Sequence, residues 1–169
     1  MPTNRRNALK GGFAFVGAAV GMGAASQAAS AAENNSLIIH GRHWRISSQD
    51  LGRGELPPAG VRMLARGEIV DKPSRGRKIG DFFATYYRLN AHGKVAPHEP
   101  GSLELHTFVF PEGTIVGSGT ATAGSQSQGT FAIIGGTGRY LGARGSYVAR
   151  QNHIDFGGDG TATFTLTLI

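Results

Sequence analysis

The sequence predicts an all-β protein, an antiparallel barrel closed on itself, and three observations lead there. Beyond the N-terminal leader, no run of ten residues free of Gly and Pro places apolar residues at the three-and-four spacing of a helix face. Several short runs instead alternate with period two. The cleanest is 161–169, where Ala162, Phe164, Leu166 and Leu168 face one way and Thr161, Thr163, Thr165 and Thr167 the other. Turn formers punctuate these runs at short intervals, so successive strands are neighbours in a meander. A last strand with one wholly apolar face is an aggregation hazard if its edge stays open, and closure removes the edge.

Residues 1–31 read as an export signal. Arg5, Arg6 and Lys10 give a basic start, a weakly apolar Gly/Ala-rich run follows, and small residues around 29–31 suit a peptidase. Arg5-Arg6-Asn7-Ala8-Leu9-Lys10 resembles the twin-arginine pattern, with Ala8 where an aromatic is more usual. The apolar run breaks up into Ser26, Gln27 and Ser30 before it could span a bilayer, so we expect a cleaved leader, no stable membrane insertion, and a periplasmic or extracellular mature chain. Residues 32–169 are then one domain's worth of chain. Without the leader the formal charge falls from +6 to +3.

Strands are expected, in order, at 37–46, 61–70, 79–89, 103–110, 113–122, 130–134, 145–150 and 161–169, each rich in β-branched or aromatic residues. Between them lie Pro57-Pro58 and the turn-forming stretches at 72–77, 90–94, 111–113 and 157–160. The remaining basic excess, Arg62, Arg66, Lys72, Arg75, Arg77 and Lys78 against Glu68 and Asp71, has no interleaved aromatics to stack bases. It reads as a solvated hairpin, and no nucleic-acid partner is expected. With no cysteine in the chain, thiol catalysis and disulfides are excluded.

The stretch Gly135-Gly136-Thr137-Gly138-Arg139-Tyr140-Leu141-Gly142 invites a phosphate-binding reading, which fails on spacing. Counted from Gly136, the sixth residue is Leu141, and a strand rather than a helix follows. The glycines therefore turn a corner: Gly135, Gly136 and Gly138 can take positive φ, and Gly142 and Gly145 mark a bend.

The segments 106–122, 131–151 and 160–169 together resemble the barrel of allene oxide cyclases and dirigent proteins, and 79–90 resembles that superfamily's Gly-Asp-hydrophobic segment. The resemblance implies an eight-stranded up-and-down, calycin-like barrel. It also implies frequent trimers, an apolar cavity that steers cyclisation or coupling of a small molecule, and no metal or organic cofactor. On the same basis Arg144 corresponds to a cavity-facing arginine, able to stabilise negative charge on a carboxylate or phenolate. If Arg144 points inward, Ser146 and Val148 follow it and Tyr147 points out. The alternative for Arg144 is an ion pair at the barrel mouth. Arg139 stands where many dirigent proteins have an aspartate, which argues against phenoxy coupling.

Glu104 and His106 share one strand face with Phe108 and Phe110. They either line a mixed cavity, where they could do acid–base work, or lie outside against a partner subunit, as the usual exposure of such residues favours. Tyr87 is a candidate wall residue, and Asp50 and Asp81 are weaker candidates. His40 and His43 have opposite strand parity, and no other histidines are spaced to bind a metal. The expectation is an exported barrel that guides cyclisation or isomerisation of an apolar, oxygenated small molecule, with Arg144 and Glu104 supplying polarity. The alternative is a barrel that binds or builds without chemistry, its interior plugged by Phe, Ile and Leu.

Overall fold

The computed structural model describes residues 36–47, 58–89, 100–122, 126–152 and 160–169. The leader, Asp50 and the turns at 90–94 and 157–159 lie outside them. Eight strands form one closed antiparallel barrel in sequence order, the last pairing with the first. They are β1 (Ser36–Ser47), β2 (Arg62–Val70), β3 (Lys78–Arg88), β4 (Pro100–Phe110), β5 (Gly113–Thr122), β6 (Gln126–Gly136), β7 (Gly145–Asn152) and β8 (Gly160–Leu168). Each expected strand is present, and β8 alternates as its threonines dictate: Ala162, Phe164 and Leu166 are buried while Thr161 and Thr167 are exposed.

The glycine-rich corner is a turn, with one difference from expectation. Gly138, Gly142 and Gly145 take positive φ, whereas Gly135 and Gly136 finish β6 as strand residues. Between β6 and β7 the chain makes a single 3-10 turn, Gly138–Tyr140. Gly138 has φ +59°, and a Cβ there would collide with the Glu112 carbonyl of the β4–β5 hairpin. Glycine is needed for conformation and for close approach together.

Strict alternation fails in β1. Arg42 and Arg45 pair with Glu68 and Arg66 of β2, so β1 carries one extra residue. His43, at φ +52° and exposed, is that residue. The bulge re-aims the strand, which lets Ile39 and Trp44, an odd number of positions apart, both point inward.

The interior is divided along the barrel axis. Toward the end where β2, β4, β6 and β8 finish, it is filled by Ile69, Phe82, Phe108, Ile115, Phe131, Ile133, Phe164 and Leu166, all buried. Phe164 lies 4.9 Å from both Phe82 and Phe108, ring to ring. Burying each such side chain contributes roughly 1.5–3 kcal/mol. Toward the other end the wall is made of small residues, Ala65, Ala84, Ala121, Ala149 and Ala162, with Trp44, Met63 and a set of polar side chains among them.

Candidate functional site

Where the two halves meet, the barrel buries a carboxylate. Ser102, Glu104 and His106 sit at alternate positions of β4, all on its inward face, and Glu104 and His106 are 2% and 0% exposed. Inward-facing Tyr147 and Gln151 come from β7 and Tyr86 from β3. The Ser102 hydroxyl donates to Glu104 Oε1 at 2.5 Å. Gln151 Nε2 donates to Oε2 at 2.8 Å, and His106 Nε2 lies 2.8 Å from the same oxygen. On the far side of the imidazole, Nδ1 is 3.0 Å from the Tyr147 hydroxyl, and Tyr86 donates to Gln151 Oε1 at 3.4 Å.

A proton on His106 Nε2 is one arrangement that satisfies these bonds. A buried phenol gives its proton to an acceptor, so in it Tyr147 donates to Nδ1, and the imidazole proton stays on Nε2, facing Oε2. Glu104 then receives three donors, the pattern of an ionised carboxylate. Both phenols are held well above the ordinary tyrosine range, first by burial and then by the charge of Glu104. They remain neutral hydrogen-bond donors. Oε2 accepts two bonds and Oε1 one, which leaves Oε1 with acceptor capacity for a further donor.

The network rests on shape as well as on bonds. The Tyr147 ring stacks on Phe131 at 5.0 Å and 9°, and it fills the space where a Cβ on Gly117 of β5 would stand. His106 is 4.6 Å from the Phe131 ring and 5.1 Å from Phe82.

Among solved structures, the chain is similar to the pterocarpan synthase dirigent protein GePTS1, with TM-score 0.60 and 19% identity over 79% of this chain and 82% of that one. The fold is that of a dirigent-type barrel. A pyocyanin demethylase is similar at TM-score 0.57 and 17% identity over 79% and 99% of the two chains. The Diels Alderase AbmU from Streptomyces koyangensis follows at 0.55 and 19% over 85% and 73%. No protein-family model and no curated relative matches.

The dirigent-type barrel places the expected site residues in two groups. Glu104, His106 and Phe108 come together inside, which overturns the preference for an outside position. Each polar atom of the pair finds a partner across the barrel, and the aromatic half of β4 faces the core. Arg144, Ser146 and Tyr87 are exposed and Val148 faces outward, half-buried. Arg144 precedes β7 and donates to the backbone carbonyls of Ile134 and Ala143, at 3.1 and 3.2 Å, not to an acid. It does not project into the interior, and among the described residues it does not form the alternative ion pair.

Arg144, Ser146 and Val148 share one side as period two requires, but it is the outer side, and Tyr147 points inward. On β3 the inward tyrosine is Tyr86 and not Tyr87. Asp81 pairs with Lys78 at 2.8 Å at the opposite end of the barrel from the network, and Arg139 is exposed in the 3-10 turn. Tyr86, Ser102, Tyr147 and Gln151 were not anticipated. The one legible signal was Ser102-x-Glu104-x-His106, three polar residues on a single strand face.

Proposed function

We propose that this dirigent-type barrel is an exported small-molecule protein that holds an apolar, oxygenated substrate in its small-residue half and guides cyclisation or isomerisation by proton transfer at Glu104. The observation that carries this is the open acceptor capacity of Oε1 on a carboxylate otherwise enclosed by donors and aromatic rings. Burying such a charge costs stability unless it is fully bonded, and ionisable groups held in that way are concentrated at functional sites. Glu104 would accept a proton from the substrate and return it at another atom. The walls would select the reacting conformer, which is catalysis by positioning. His106, Ser102 and Gln151 orient the carboxylate, and Tyr147 fixes the His106 tautomer. No cofactor is required for such a step.

The fold neighbours support the class of protein: the names of two of them describe a dirigent synthase and a Diels Alderase. Export is supported by the basic and small-residue pattern of the leader. A homotrimer is supported by Leu64, Phe83, Tyr87, Leu103 and Leu105, which lie outward on β2–β4 at 41–44% exposure.

A second reading, a non-catalytic binding or structural barrel, is favoured by the aromatic fill of the other half. One experiment separates the two. The chain is expressed in an export-competent host, recovered from the periplasm or medium, and analysed by native mass spectrometry. A mature mass with the leader removed and a co-purified small molecule, lost in Glu104→Gln, is the expected result. Ligand-free protein, unchanged by that substitution in every metabolite pool tried, overturns the enzyme reading.

A further inference from the structure

One end of the barrel carries cations that no acid answers. In an antiparallel barrel alternate strands finish at the same end, so the turns after β2 (71–77) and after β6 (137–144) leave the barrel together. Closure in sequence order sets them on opposite sides of its rim. The first turn exposes Lys72, Arg75 and Arg77, the second Arg139 and Arg144. Among the described residues none of these forms an ion pair, while Glu68 and Asp81 are paired with Arg42 and Lys78. The other acidic side chains described at this end are Asp71 and Glu112, and Asp71 accepts a bond from the Arg77 backbone N–H at 2.8 Å.

Both turns are braced. In the first, Arg75 stands at φ +54°, a left-handed conformation that a residue with a Cβ rarely adopts. Arg42 Nη1 donates to the Gly76 carbonyl at 3.2 Å, and a Cβ on Gly76 would collide with the Lys72 carbonyl. Backbone held in such regions clusters at binding surfaces, and here it fixes the spread of three cations. In the second turn the Arg139 N–H donates to the Glu112 carbonyl at 2.9 Å, and the Arg144 carbonyl accepts from the Ile169 N–H at 3.1 Å. Leu141 on this turn is 83% exposed, and Ile134, whose carbonyl Arg144 bonds, is half exposed.

An aliphatic side chain presented to solvent on a braced turn, with cations on both sides of the rim, is complementary to an anionic bilayer surface. Phosphates meet the guanidinium groups, and the leucine meets the acyl boundary. We infer that this end of the barrel docks on an anionic lipid surface, inserting Leu141 between headgroups held by Lys72, Arg75, Arg77 and Arg139. Contacts on opposite sides of the rim stand the barrel upright, with the end nearer Ser102 toward the water. The docking is peripheral and independent of any chemistry at Glu104.

The test is co-sedimentation of the full chain with vesicles of phosphatidylcholine alone or mixed with phosphatidylglycerol. The leader is present in every sample, so the differences among substitutions carry the result. Arg75→Gly removes a cation and suits the left-handed φ, so folding is not at risk. It should weaken binding to the anionic vesicles about fivefold, and Leu141→Ser should weaken it by about fivefold or more. Arg150→Ser loses the same charge from the exposed face of β7 near its other end, and it should change binding by less than about twofold.

No binding to either vesicle, or equal binding to both, overturns the assignment. So does binding that ignores Arg75→Gly and Leu141→Ser, or that falls as far with Arg150→Ser. Capture by soluble dextran sulfate without vesicle binding also overturns it and leaves a polyanion site in its place.

Discussion

Gly117 has no Cβ because the Tyr147 ring occupies that space, so its role follows from contact and not from backbone freedom. Gly117→Ala should overpack the site and destabilise the protein by about 1–3 kcal/mol, measured by denaturant unfolding. It should also displace the Tyr147 hydroxyl from His106, and ligand binding should weaken with it. Arg144 gives the opposite expectation. Among the described residues its guanidinium reaches only backbone carbonyls on the outer surface, so Arg144→Ala should shift stability by no more than about 0.5 kcal/mol. A large loss of ligand binding in that variant would place the site elsewhere than at Glu104.

At the scale of the strand, β1 shows how one residue redirects an element. His43 is the extra residue of the bulge, and Trp44, the only tryptophan in the chain, owes its inward direction to it. Deleting His43 places Trp44 four positions from Ile39, so plain alternation without the bulge should still point Trp44 inward. The expected readout is an unchanged tryptophan emission maximum. A red-shifted maximum would mean that the strand has slipped in register and turned Trp44 outward. β7 teaches a related lesson: one face offers Gly145, Tyr147 and Ala149 and the other Ser146, Val148 and Arg150, so each face carries apolar surface. Period two cannot choose between them.

At the scale of the molecule, closing eight strands brings β3, β4 and β7 around one axis, which is why Tyr86, Glu104 and Gln151 can meet. The two phenols of the network are raised above their ordinary value of 10.0 by burial and by the Glu104 charge. The unfolded chain would release those protons near pH 10 while the folded one keeps them. Stability is thus fully present below about pH 10 and falls as pH rises above it. Phenolate absorbance from Tyr86 and Tyr147 should appear only together with unfolding, and its appearance in the native barrel would show the network open to solvent. The outer apolar patch makes a separate prediction: Phe83→Arg should dissociate the proposed trimer, as read by light scattering after size exclusion.

Seven or eight strands, the meander, the corner at 135–142 and the single apolar face of β8 were legible in the sequence. Each of these is set locally, by period-two alternation, by turn residues, or by threonines and aliphatics that cannot exchange faces without exposing the core. It also displayed Ser102, Glu104 and His106 on one face of β4, but not which side of the wall that face became. Both faces of β4 are rich in apolar residues, so burying the polar pair is favourable only because Tyr147 and Gln151 wait across the barrel to bond it. Those partners are 41 and 47 positions away in the chain. Long-range pairing, the β1 bulge and the register of β7 are properties of closure, and closure alone decided that the glutamate is inside and the arginine outside.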